Sequence, residues 1–153
     1  MPRLPADPEG FIRANTALER PAMVPEFELW LASEYVPIWQ ATEAWLEMQN
    51  IDPPYWAFCW PGGQAIARYL LDNPAEVRGK RVIDFAAGSG ISSLAAARAE
   101  ARSVLANDID AMSLIAIRLN AKGAGLHVEV SDADWLAGLD GEPLADVVIA
   151  GDV

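Results

Sequence analysis

Cysteine, histidine and lysine are scarce in this chain: Cys59 and His127 stand alone, and Lys80 and Lys122 are the two lysines among 153 residues. One cysteine excludes an internal disulfide and a thiolate metal cluster, and one histidine excludes a His-rich zinc site. Positive charge is short as well, with 11 basic against 22 acidic residues and a formal charge of −11. So few cations do not easily build a phosphate-neutralising face, and nucleic acid is not expected as a partner. No apolar run approaches the roughly 18 residues of a membrane span. Met1 to Gly10 have neither the apolar stretch of a signal peptide nor the Arg-rich character of a transit peptide. The expectation is a soluble, cytoplasmic protein with no membrane partner. His127, between Leu126 and Val128, reads as a half-buried structural residue, and Cys59, among aromatics, as a small buried apolar one.

Core material is plentiful: 52% of the residues are apolar, 22% are charged and the mean hydropathy is +0.12. That suits one ordinary folded domain and excludes a largely disordered chain. Two stretches differ in character. Residues 1–52 are acidic and aromatic. There Pro25 can open a helix carrying Phe27, Trp30 and Leu31, and Pro37 a second one carrying Ile38, Trp45 and Leu46. This predicts an N-terminal helical extension that packs its aromatic stripe on a main domain over 53–153. From Pro61 short apolar runs alternate with amphipathic helices. Helices are predicted over Gly62 to Asn73, Ile91 to Glu100 and Ala111 to Lys122. Strands are predicted over Lys80 to Phe85, Arg102 to Asn107, Leu126 to Ser131 and Ala145 to Gly151. The order, with Val/Ile-rich strands, is that of an α/β doubly wound parallel sheet.

The first of those strands runs into Asp84-Phe85-Ala86-Ala87-Gly88-Ser89-Gly90, and the second ends at Asn107-Asp108-Ile109-Asp110. Small residues at 86, 88 and 90 allow a tight turn and close approach of a ligand to the backbone at a helix N-terminus. A carboxylate on the tip of the second strand is placed for ribose hydroxyls. Together they indicate a nucleoside-type cofactor. The G-x-G-x-x-G spacing of dinucleotide folds is absent, because Ser93 stands where the third glycine would be. The pattern D-x-A-x-G-x-G instead resembles motif I of the class I, seven-strand methyltransferases that bind S-adenosylmethionine. By that resemblance Asp84 contacts the turn and the methionine amino end, and Ala86 replaces the usual first glycine. The loop Ser131-Asp132-Ala133-Asp134-Trp135 would lie beside the adenine, with an acid accepting from the exocyclic amine and Trp135 covering the ring face. The alternatives are a hydrophobic plug for Trp135 and a turn-former for Asp132.

A longer resemblance rests on Pro53-Pro54-Tyr55-Trp56-Ala57-Phe58-Cys59-Trp60-Pro61-Gly62-Gly63-Gln64, on Arg68 to Pro74, and on Leu105 to Asp110. With Phe11 to Thr16 and Val24 to Glu26, these are similar to the electron transfer flavoprotein β-subunit lysine methyltransferases. The family implies a Rossmann-like class I methyltransferase sheet, S-adenosylmethionine as cofactor and the flavoprotein β subunit as protein substrate. It implies that Trp60 and the following turn wall the cofactor, with Asp84, Ala86, Gly88, Gly90, Asp108, Ile109, Asp134, Trp135 and Gly151 around it. Gly151-Asp152-Val153 matches the start of the family's D-x-x-Y segment, so Asp152 is the implied catalytic residue at the target amine, a strand-end cap being its alternative. The family's C-terminal strands are missing from this chain. Strand four, with Val147, Val148 and Ile149, is therefore expected as an edge through which copies self-associate. A small-molecule (nicotinamide-like) N-methyltransferase and an inactive, truncated cofactor-binding remnant stay open as alternatives.

Overall fold

The computed structural model describes residues 4–32, 48, 50, 52–134 and 145–153. The chain opens with α1 (Pro8–Asn15), where Asp7 caps by accepting from the Gly10 N–H at 3.0 Å and Pro8 supplies a helical φ. Two short strands follow, β1 (Ala17–Glu19) and β2 (Leu29–Leu31), paired antiparallel with Leu18 opposite Trp30. The helix expected from Pro25 is therefore not formed. Phe27, Leu29 and Leu31 are buried while Glu28 is exposed, so a period of two displaces the period of three to four. Each of those buried side chains contributes roughly 1.5–3 kcal/mol, which short-range helix propensity cannot match. The second expected helix, with Ile38, Trp45 and Leu46, lies, apart from Met48, outside the described residues.

The main sheet is built from β3 (Arg81–Phe85), β4 (Ser103–Asn107), β5 (Glu129–Ser131) and β6 (Val147–Ala150). All pairs are parallel, as the alternation of strands and helices implied, and the order is β5-β4-β3-β6. The helices are α2 (Pro61–Asp72), α3 (Ile91–Arg98) and α4 (Ala111–Ala124). β5 begins later than its apolar run suggested. Gly125 closes α4 in a left-handed conformation (φ 66°), and the Leu126 N–H is spent on the Ala121 carbonyl. The chain cannot enter the sheet until that bond is left behind. His127 stands exposed in this connection, not half-buried.

Val24, Phe27, Leu29 and Leu31 belong to the same buried cluster as Val82, Val104, Ile91 and Leu94. The described part of the N-terminal segment thus shares a core with the sheet. A second cluster joins Ile12 of α1, Trp56 and Ala57 to Ala116 and Leu119 of α4. Among the described residues β6 pairs on one side, with β3, and Val148 is exposed. No described helix is long and apolar enough to cross a membrane.

Candidate cofactor cleft

The C-terminal ends of β3 and β6 and the N-terminal ends of α2 and α3 enclose a cleft. Trp60, Asp84, Ala86, Gly88, Gly151 and Asp152 all line it, together with Phe58 and Ser89. Topology makes the cleft, since parallel strands deliver their loops and the following helix N-termini to one edge.

The turn from β3 to α3 alternates left-handed positions: Ala86 at φ 54°, Gly88 at 55° and Gly90 at 86°. At Gly90 a side chain is excluded twice, because a Cβ would also lie 3.0 Å from Ile117 of α4. At Gly88 a Cβ would meet nothing within 4 Å, which leaves backbone facing open space. Ala86 carries a real Cβ at positive φ, a cost of about 1 kcal/mol that glycine would not incur. The substitution of this glycine is thus a strained one.

Asp84, the last residue but one of β3, is only 2% exposed and accepts from Ser93 Oγ at 2.6 Å. Burial dominates its surroundings and pushes the carboxyl up to about 7, against the lowering effect of Ser93. Asp108, expected on a ribose, braces the turn. Its Oδ2 accepts from the Gly88 N–H and its Oδ1 from the Asp110 N–H, each at 2.9 Å. Each oxygen keeps a second lone pair for a hydroxyl. Asp110 in turn caps α4 through the Met112 N–H at 2.8 Å, and burial raises its carboxyl above the ordinary range.

Ile109 is exposed on the β4 tip, and Asp134 is exposed in the loop after β5; neither lines the cleft itself. Trp135 lies outside the described residues. What fastens that loop is Asn107, read in the sequence only as a strand end. It is buried, and its Nδ2 donates to the carbonyls of Ser131 (3.1 Å) and Ala133 (2.9 Å).

On the opposite wall Trp60 is 40% exposed, donates from Nε1 to the Tyr55 carbonyl at 3.0 Å and tilts against Phe58. Asp152 accepts from the Gly62 N–H (3.1 Å) and the Gly63 N–H (2.8 Å), so it caps α2. Two glycines permit that approach. A Cβ on Gly62 would fall 2.8 Å from the Asp152 carboxylate, and one on Gly151 would fall 2.8 Å from the Gly63 nitrogen. Ser92 Oγ also donates to the Gly63 carbonyl at 3.0 Å, tying α3 to α2. Two adjacent glycines in a first helical turn were the signal in the sequence that something must come close there. Cys59 is half-buried, and burial pushes its thiol up to about 12, so it is no nucleophile near neutral pH. Among the described residues no group of three or more His, Cys, Asp or Glu side chains could hold a metal ion.

Residues 66–151 match the family described as ribosomal protein L11 methyltransferase (PrmA). The electron transfer flavoprotein β-subunit lysine methyltransferase of Mus musculus is 42% identical over 121 residues, covering 78% of this chain and 46% of that protein. The Xenopus laevis protein of the same name is 38% identical over 147 residues, 95% of this chain and 58% of its own length. The chain thus spans about half the length of the curated relatives it matches. Among solved structures, the T. thermophilus 16S rRNA N2 G1207 methyltransferase, in complex with AdoMet and guanosine, is 25% identical with a TM-score of 0.52. That match covers 61% of this chain and 25% of the other, and the shared part is a class I methyltransferase fold.

Proposed function

Because this chain belongs to the PrmA family of methyltransferases and is 36–42% identical to electron transfer flavoprotein β-subunit lysine methyltransferases, we propose that its protein transfers a methyl group from S-adenosylmethionine to a lysine of that flavoprotein subunit. The observation that carries the reading is the joining of motif and cleft: Asp84, Gly88 and Trp60 line one cavity, and Asp108 is bonded to the turn that forms it. The residues fit the cofactor chemically. The backbone at Gly88 faces open space, Asp108 retains acceptor capacity for ribose hydroxyls, and the buried Asp84 is available to an ammonium group. Gly90 shapes the turn, Ala86 and Gly151 line the cleft with small residues that leave the cofactor room, and Ile109, Asp134 and Trp135 are assigned to the adenine side.

The cofactor supplies, when bound, an electrophilic methyl on a good leaving group, so the protein's task is to align a neutral amine. A free lysine, with a pKa near 10.4, is neutral in about one molecule in 2,500 at pH 7, a handicap of roughly 4–5 kcal/mol. Asp152 is held by two α2 amides and keeps a further lone pair on each oxygen. It orients the amine's N–H groups. A carboxylate raises the pKa of a neighbouring ammonium, so deprotonation is not its role.

The names of the relatives favour a protein acceptor over a nicotinamide-like amine. The charge of −11 is in keeping with a lysine-bearing protein partner and against nucleic acid. A cytoplasmic setting, no membrane partner, and self-association through the outer edge of β6 complete the proposal. The test is incorporation of labelled methyl from S-adenosylmethionine into purified flavoprotein β subunit by the purified protein. Asp152→Asn should lower kcat at least about tenfold with cofactor affinity unchanged. Equal labelling of small amines and none of the protein would refute the acceptor.

A further inference from the structure

We infer that Asn120 is a positioning residue of the cofactor cleft, fastening the glycine turn to the N-terminal hairpin through one side chain. Asn120 lies on α4 and is 1% exposed. Its Oδ1 accepts from the Trp30 N–H of β2 at 2.9 Å, and its Nδ2 donates to the Ser89 carbonyl at 2.9 Å. Both ends of the amide are therefore committed, and a flipped amide would oppose donor to donor on one side and acceptor to acceptor on the other.

Ser89 sits between Gly88 and Gly90, the two left-handed glycines of the turn. One turn earlier on α4, Ile117 packs against Gly90 so closely that a Cβ there would come within 3.0 Å. α4 thus supports the turn twice, by an apolar contact at Gly90 and by a hydrogen bond at Ser89. The far end of the same amide is taken by β2, whose neighbours Leu29 and Leu31 are anchored in the main core. Nothing local fixes Asn120: its two partners are 90 and 31 positions away. The hairpin and the turn are therefore joined through one buried amide as well as through the shared core, and what stiffens one end stiffens the other. By linkage, a ligand that orders the turn must strengthen the Trp30 bond, and loss of the Ser89 bond must weaken the ligand.

This inference rests on the reading that the turn holds S-adenosylmethionine. Asn120→Asp keeps the volume and the acceptor for Trp30 but sets an acceptor against the Ser89 carbonyl. Calorimetric titration of the 153-residue chain with S-adenosylhomocysteine should show about tenfold weaker binding in the variant. Saturating S-adenosylhomocysteine should also slow hydrogen exchange at the Trp30 amide of the parent. A merely structural role would lower the melting temperature and leave affinity alone. An affinity within about twofold of the parent, in a variant that unfolds cooperatively, would overturn the inference. Where Asn120→Asp does not fold, the parent decides: an unchanged Trp30 exchange rate on adding S-adenosylhomocysteine overturns it equally. A parent that binds no S-adenosylhomocysteine overturns the cofactor reading, and this inference with it. A parent and a variant that bind equally well overturn this inference alone.

Discussion

The rim of the cleft and the N-terminal hairpin are held in opposite ways. At the tips of β3 and β4, short stretches set much of their own shape, while the α2 side of the rim depends on Asp152: Asp110 caps the helix it opens, Asp108 bonds an amide two residues on, and the glycine turn closes through Gly90 N–H on the Ala87 carbonyl at 2.8 Å. The hairpin has three-residue strands and takes its order from far away. Phe27 lies under the Arg98 guanidinium at 4.7 Å, and the Trp30 N–H reaches Asn120. Spacing along the chain determines the first region, while the surface it lands on determines the second. A ligand site made of local turns can be read from a motif. A segment that completes someone else's core cannot.

The sharpest way to break this contrast is Phe27→Ala. If the hairpin is part of the core, removing a side chain that is 1% exposed should cost about 3–5 kcal/mol in chemical denaturation. A loss under about 1 kcal/mol would make the segment an appendage.

Next in size is the pH response of Asp84. Burial pushes its carboxyl up to about 7, above the ordinary value of 3.8, so the protonated form is the one favoured by folding. Stability from this group is complete below about pH 4 and is lost as pH rises through 7. The span is of the order of 4 kcal/mol at most. Asp84→Asn should flatten the stability profile between pH 4 and 8, measured by urea unfolding at each pH. A profile unchanged by the substitution would show that burial does not govern this carboxyl.

Asp108→Ala removes the brace between turn and β4 tip. Cofactor affinity should fall at least about tenfold by calorimetry, since a charge-assisted hydrogen bond is worth roughly 1.5–3 kcal/mol. Unchanged affinity would leave Asp108 a brace and nothing more. The smallest effect is expected at Ala86→Gly. Relief of the left-handed strain should raise stability by up to about 1 kcal/mol, seen as a higher melting temperature. A loss would show that the alanine methyl is worth more than the strain it causes.

These contrasts explain what the sequence disclosed. The strands of the parallel sheet, the D-x-A-x-G-x-G turn and the acids at the tips of β3 and β4 were legible because each is a run of neighbours with one physical solution. Phe27-Glu28-Leu29-Trp30-Leu31 satisfies two periodicities, and the cluster around Val82 and Leu94 chose between them. Asn107 and Asn120 escaped notice because a buried amide's meaning lies in its partners. Asp152 was read from its resemblance to the start of the D-x-x-Y segment, and its cap on α2 became visible only once the fold brought Gly62 and Gly63 to it.

That cap has a bearing on the order in which the molecule is made. α1 and α4 carry their first-turn acceptors, Asp7 and Asp110, directly ahead of them. α2 has no side-chain acceptor at Trp60 and borrows one 90 positions downstream. As the chain leaves the ribosome, α2 emerges with two open donors and waits for the strand that will close them. The entropy of closing a loop rises with the logarithm of its length, so this contact is among the costliest to form and falls late in folding. Late contacts govern how fast a protein comes apart more than how fast it assembles. Removing the Asp152 carboxylate is thus expected to speed unfolding more than it slows refolding, which stopped-flow kinetics in urea would check.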